Sequence, residues 1–109
     1  MRILLDECIP IDFRRSFPDH EVHSAQWAGF KGKKNGELLQ AAEAAGYGVL
    51  LTVDQGLTRQ KSPVGLKLSI LVIRARTNQM EDLLPLLDAV RKALDRIKPG
   101  EIQSIEGPA

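Results

Sequence analysis

The feature that most restricts the fold is a pair of short apolar runs, each closed by an acid. Ile3-Leu4-Leu5 stops at Asp6 and Glu7, and Val49-Leu50-Leu51-Thr52-Val53 stops at Asp54. Both runs are too short for helices and rich in branched side chains, which marks strands buried on both faces of a parallel sheet. Ligands bind such sheets outside the carboxyl ends of the strands, where the strand order reverses. If the two runs pair, Asp6 and Asp54 reach that edge together. Gathered carboxylates repel one another unless a cation or a shared proton offsets the charge. The expectation is an acidic metal site, at which removing the Asp6 charge would stabilise the metal-free chain.

Between and beyond these runs the periodicity changes. Pro10 opens a short amphipathic helix with Ile9, Phe13 and Phe17 four apart, stopped by Pro18, with Arg14 and Arg15 on its solvent side. Residues 21–24 read as a short strand. Trp27 and Phe30 are expected to cover the sheet edge rather than stack on bases. Lys31, Lys33 and Lys34 form a basic loop, either solvated or set to grip phosphates. Asn35 reads as the N-cap of a helix whose core face carries Leu38, Leu39, Ala42 and Ala45 and which Gly46 ends. Glu37, in its first turn, either complements the helix dipole or supplies a third carboxylate.

Residues 55–65 read as a loop with one helical turn, and residues 68–73 as a third apolar strand. Arg74 and Arg76 follow, suited to pairing with carboxylates or to binding phosphate, with pairing preferred. Met80, Leu83, Leu87, Val90, Leu94 and Ile97 form one helical stripe, which Pro85 must either start late or kink. Residues 101–105 alternate like an edge strand. The whole predicts an α/β three-layer sandwich with a mostly parallel sheet of four or five strands in one domain, residues 1–109.

Fifteen basic residues against fourteen acidic give a net charge of +1, so nucleic-acid binding would have to come from local patches. A single cysteine excludes an intramolecular disulfide, and no apolar run approaches the length of a membrane span. A cytoplasmic protein without membrane partners is expected. His20 and His23 lack further ligands nearby in sequence and are expected at the surface rather than on zinc. Cys8 sits beside two acids, whose charge raises a thiol pKa, so an inert thiol is expected.

Four tracts in order, Ile3-Leu4-Leu5-Asp6-Glu7, Asn35-Gly36-Glu37-Leu38-Leu39, Leu51-Thr52-Val53-Asp54-Gln55, and Arg74-Ala75-Arg76-Thr77-Asn78 followed by Leu83-Leu84-Pro85-Leu86, resemble the PIN-like family of short bacterial and archaeal proteins. That family is assigned to the PIN superfamily, whose active members are magnesium-dependent ribonucleases, many of them toxins of toxin-antitoxin pairs. The resemblance implies a PIN-like fold with Asp6, Glu37 and Asp54 as catalytic acids holding magnesium or manganese. It also implies Glu7 as a supporting residue; Asn35 is a further candidate for support, and by their charge Lys31, Lys33, Lys34, Arg59, Lys61, Arg74 and Arg76 are candidates for contact with substrate. Single-stranded RNA is the implied substrate and a small antitoxin protein the implied partner, with a homodimer left open. Gly56 stands where related sequences often have an acid, and Cys8 where asparagine is frequent. Three acids support one metal ion more readily than two.

Two rivals share the pattern. A catalytically inactive module would keep the fold and bind RNA or a protein partner. A phosphoacceptor receiver domain would use Asp6 and Glu7 as its acidic pair, Asp54 as acceptor, and Thr77 and Lys98. A receiver, however, needs its lysine at the end of an apolar strand, whereas Lys98 ends a helical stripe.

Overall fold

The computed structural model describes residues 1–33, 35–56 and 67–106, and its architecture follows from the alternation of apolar side chains. The strands are β1 (Arg2–Leu5), β2 (Glu21–Ser24), β3 (Val49–Thr52), β4 (Ser69–Arg74) and β5 (Ile102–Glu106). They form a five-stranded sheet in the order β2-β1-β3-β4-β5, and every described pairing is parallel. Ile3, Leu5, Val49, Leu51, Leu71 and Ile73 point to one face; Leu4, Leu50, Ile70 and Val72 point to the other. Both faces are apolar, so each needs a cover. Helix α1 (Asn35–Ala44) covers the second with Leu38, Leu39 and Ala42. Helices α2 (Met80–Leu83) and α3 (Leu87–Arg96) cover the first with Leu83, Val90, Ala93 and Leu94, and Phe13 and Phe17 complete that layer. The result is an α/β fold of three layers. Among the described residues, no helix is long and apolar enough to cross a membrane.

Three local expectations change. Residues Ile11–Ser16 form a 3-10 helix, because a segment confined between Pro10 and Pro18 is too short to repay α-helix nucleation. Ala45 is exposed, since α1 ends before it and the chain turns away at Gly46. Trp27 does not cover the sheet; it is 69% exposed, while Phe30 packs against the α1-side core. Pro85 acts as expected. It interrupts the last stripe with a 3-10 turn, Leu84–Leu86, between α2 and α3.

One aspect of the winding departs from a regular doubly wound sheet. The crossovers β2-α1-β3 and β4-α2-α3-β5 step across the sheet in the same direction but carry their helices on opposite faces. Two such crossovers are necessarily of opposite hand. The β1-to-β2 connection steps the other way on the face that α3 shares, as the bond from the Arg91 guanidinium to the Ser16 carbonyl shows, and so agrees in hand with β2-α1-β3. The β4-to-β5 connection is therefore the odd one, against a rule that holds for about 98% of such units.

Helix α1 closes on a left-handed glycine. Gly46 has φ +87°, the Tyr47 N–H donates to the Ala42 carbonyl at 3.0 Å, and the Gly46 N–H donates to Glu43 at 3.1 Å, the two bonds of a Schellman motif. A Cβ at this position would also meet Arg2 Nη1 at 3.0 Å. The same guanidinium lies over the Tyr47 ring and bonds the Ala45 carbonyl and Glu21, so it cannot yield freely. Gly46→Ala is expected to lower stability by about 1–2 kcal/mol, from the left-handed cost for an L-residue. Urea denaturation checks this, and an unchanged midpoint would mean that the turn is not held by Gly46.

Candidate functional site

The order β2-β1-β3 reverses direction at β1, and this is where the two acid-terminated runs lie side by side. Leu5 is in register with Leu51, and the Asp6 N–H donates to the Leu51 carbonyl at 2.9 Å. Asp6 thus stands beside Thr52, and Asp54 follows two residues further along the adjacent strand. The strand tips do bring both aspartates to one edge, as their spacing implied.

What joins them is Thr52. Its hydroxyl, fully buried at the end of an otherwise apolar strand, donates to Asp6 Oδ2 at 2.6 Å and accepts the Asp54 N–H at 3.0 Å. Asp6 Oδ1 accepts the Glu7 N–H at 2.8 Å, and the Cys8 thiol reaches Oδ2 at 3.7 Å. Asp54 is exposed, and its Oδ1 accepts the Gly56 N–H at 2.9 Å. That bond explains what glycine does at position 56: a Cβ there would sit 3.1 Å from Asp54 Oδ1. A larger residue would crowd the carboxylate from beside.

The other sequence-marked residues distribute around this pair. Helix α1 runs back from the strand tips, which puts Glu37, exposed in its first turn, at the same edge and on the face toward which Leu4 and Leu50 point. It is not drawn into one ligand group with the aspartates, since among the described residues no three His, Cys, Asp or Glu side chains gather closely enough to hold a metal ion. Glu7 turns to the basic loop, where its Oε1 accepts the Gly32 N–H at 2.5 Å and fixes Lys31 and Lys33, both exposed, beside the acidic tip. Lys34, Arg59, Lys61 and the Asn35 side chain lie outside the described residues.

Arg74 pairs with a carboxylate, but with Glu106 on the neighbouring strand at 2.7 Å rather than with the site. With the exposed Arg76 and with Gln55, the neighbour of Asp54, it lines a groove of about 570 Å³ that opens beside Asp54. Asn78 ties this side to the acids, donating from Nδ2 to the Cys8 carbonyl at 2.8 Å. Lys98 precedes β5 and so lies at the opposite edge of the sheet.

Thr52 and Asn78 had no assigned role in the sequence. The only signal for Thr52 was a lone hydroxyl inside an apolar run; for Asn78 there was none, because its partner is a backbone carbonyl distant in sequence. His23 is not the surface histidine expected. Its Nδ1 bonds the Tyr47 hydroxyl at 2.8 Å and its ring stacks on Trp27. The Cys8 thiol is pushed up from its ordinary value chiefly by burial, with the Asp6 charge a smaller cause and bonds from Val53 and Thr52 opposing. The direction agrees with the sequence expectation, but burial rather than neighbouring charge is its main cause.

Comparison with protein-family models, with curated proteins and with solved structures finds no match to this chain.

Asp6 is therefore a well-supplied acceptor, and the expected gain from removing its charge reverses. Asp6→Asn presents an amide to donors that need an oxygen, and is expected to destabilise by about 1–3 kcal/mol. Combined with Thr52→Val in a double-mutant cycle, it should show coupling of about 1–2 kcal/mol. Strictly additive losses in urea denaturation would mean that the Thr52–Asp6 bond contributes nothing.

The raised thiol pKa sets a pH dependence. Above the ordinary thiol value of about 8.5, the unfolded chain gives up a proton that the folded state keeps, so stability falls as pH rises. Tyr47, also pushed up by burial, adds its own loss further into the alkaline range. Cys8→Ala removes only the thiol part. The stability difference between wild type and this variant is expected to be flat below pH 8 and to move against wild type above about pH 9; a parallel pair of pH profiles would refute the assignment.

Proposed function

We propose that the chain is a metal-dependent ribonuclease of PIN type, acting at the strand tips. The observation that carries the reading is the juxtaposition of Asp6 and Asp54 at the reversal of strand order, joined through Thr52. Magnesium suits this donor set, because it is commonly held by one or two carboxylates and keeps several waters, so that a third protein ligand is not required. Asp54 would meet the metal directly, being exposed at the tip; Asp6 would share it or position it through Thr52. Glu37, on the same edge, would enter through a bridging water.

When bound, the metal supplies a nucleophilic water near neutral pH and offsets charge building on the phosphoryl oxygens. The chain's own groups hold the rest. Lys31 and Lys33, fixed by the Glu7–Gly32 bond, would neutralise phosphates on one side of the acids, and Arg76 in the groove beside Asp54 on the other. The toxin role and a small antitoxin partner belong to this proposal as what the family resemblance implies.

The receiver reading gains one observation, since β2-β1-β3-β4-β5 is also the strand order of flavodoxin-like sheets, with ligands at the β1/β3 switch. Two others oppose it. Lys98 lies at the wrong edge for an acceptor site, and the β4-to-β5 helices cover the face that a regular doubly wound sheet leaves to the opposite layer. Ribonuclease is the better-supported reading.

The test is direct. With magnesium or manganese, purified protein is expected to cut single-stranded RNA, and Asp54→Asn to abolish the cutting. Equal cleavage by both proteins would trace the activity to a contaminant. RNA binding without cleavage would favour the inactive module, and covalent labelling of Asp54 by acetyl phosphate would favour the receiver.

A further inference from the structure

Trp27 is the sole tryptophan of the chain and, at 69% exposed, the most exposed large apolar side chain among the described residues. It follows β2, at the sheet edge where the acids lie. A tryptophan left in water on a flexible turn would mean little, but this ring is held. It stacks on His23 with centroids 4.0 Å apart and planes 29° off parallel. His23 is itself locked by its bond to the Tyr47 hydroxyl, and Arg2 lies over the Tyr47 ring at 4.6 Å. The turn carrying Trp27 is pinned as well, by the bond from the Trp27 N–H to Ser24 Oγ at 3.1 Å. One ring face is thus occupied by histidine, and the side chain is pre-organised.

Around it polar groups are set into a lining that is largely apolar. A groove of about 450 Å³ against β2 is lined by the apolar Ile11, Val22 and Trp27 and by Arg14, His23, Ser24 and Gln26. A planar aromatic wall, an amide able to pair with base edges, and a guanidinium for phosphate are the components that hold an unpaired nucleobase. The loop that follows carries Lys31 and Lys33 and is fastened to Glu7. We infer that the Trp27–His23 stack is a base-stacking platform, which seats one unpaired base of single-stranded RNA next to the acidic tip. The inference rests on the reading that this edge handles RNA. On it, the strand runs from Trp27 past the lysines to the acids and on toward the groove with Arg76.

Trp27 fluorescence reads the platform without any label, and leaving out divalent metal keeps cleavage out of the measurement. Titration with an oligouridylate is expected to quench the emission saturably, whereas an abasic oligomer of equal length, with the same phosphates and no bases, should not. Against a labelled oligouridylate, Trp27→Ala should weaken binding about tenfold and Trp27→Phe much less, as base stacking on aromatics predicts. Unquenched emission, together with Trp27→Ala binding as tightly as wild type, overturns the platform, and cleavage through Asp54 in the same preparation would leave the ribonuclease reading intact. Quenching and the Trp27→Ala loss in a protein that cuts no RNA would uphold the platform while the nuclease reading falls. Emission that instead tracks protein concentration, with Trp27→Ala turning a dimer into a monomer, overturns the platform in favour of self-association.

Discussion

Parallel pairing of β1 with β3 is the constraint on which the rest depends. It sets Leu5 against Leu51, and from that single register Asp6 falls beside Thr52. A shift of one residue would turn Thr52 and Asp6 to opposite faces and bury a hydroxyl and a carboxylate without partners. Two apolar faces do not by themselves oppose that slip; the close fit of Ile3, Leu5, Val49 and Leu51 in one core and of Leu4 and Leu50 in the other does, together with the Thr52–Asp6 bond. The site is precise because the core beneath it is. Its geometry is inherited from strands that have no chemistry of their own.

Segments beyond strand ends are free to wander unless something ties them, and three of the described ones are tied to β1's exit, two directly and one through the Thr52–Asp6 bond. Glu7 holds the lysine loop at Gly32, Asn78 holds the segment after β4 at the Cys8 carbonyl, and Thr52 holds Asp54. Residues 6–8 form a hub, and each spoke leads to a group proposed to meet RNA. Loss of any one bond should loosen one arm and leave the core intact, because none of the three bonds lies within the two apolar clusters.

The strands and the acidic edge were legible because their signals are local. A branched apolar run closed by an acid reads the same in a sequence as in a sheet, and the Leu83–Val90–Leu94 stripe survives the Pro85 interruption because the stripe is set by burial and not by helix continuity. What could not be read depends on residues far apart. Thr52 as a bridge requires knowing which strand lies beside it; Arg74 chose Glu106 because β5 is its neighbour, a fact of strand order. Trp27 was expected to cover the sheet edge, yet Phe30, with a similar apolar claim, occupies that place and leaves Trp27 outside. Composition cannot rank two aromatics three residues apart; only the turn between them can.

The two aspartates at the tip are alike in sequence and unlike in place. Asp6 is half-buried, and its oxygens already receive a backbone N–H, the Thr52 hydroxyl and the Cys8 thiol. Those bonds offset the cost of holding a carboxylate there without a cation. Asp54 is exposed and is given only the Gly56 N–H among the described groups, and that bond fixes its direction without enclosing it. Were this edge to hold a cation, as proposed, it would offer one carboxylate already satisfied and one that faces water. Magnesium gives up its own waters reluctantly, so the hydrated carboxylate is the easier first ligand. On the proposed reading, Asp54 would be the principal ligand of the metal, and Asp6 would act mainly by keeping Thr52, and through it Asp54, in place.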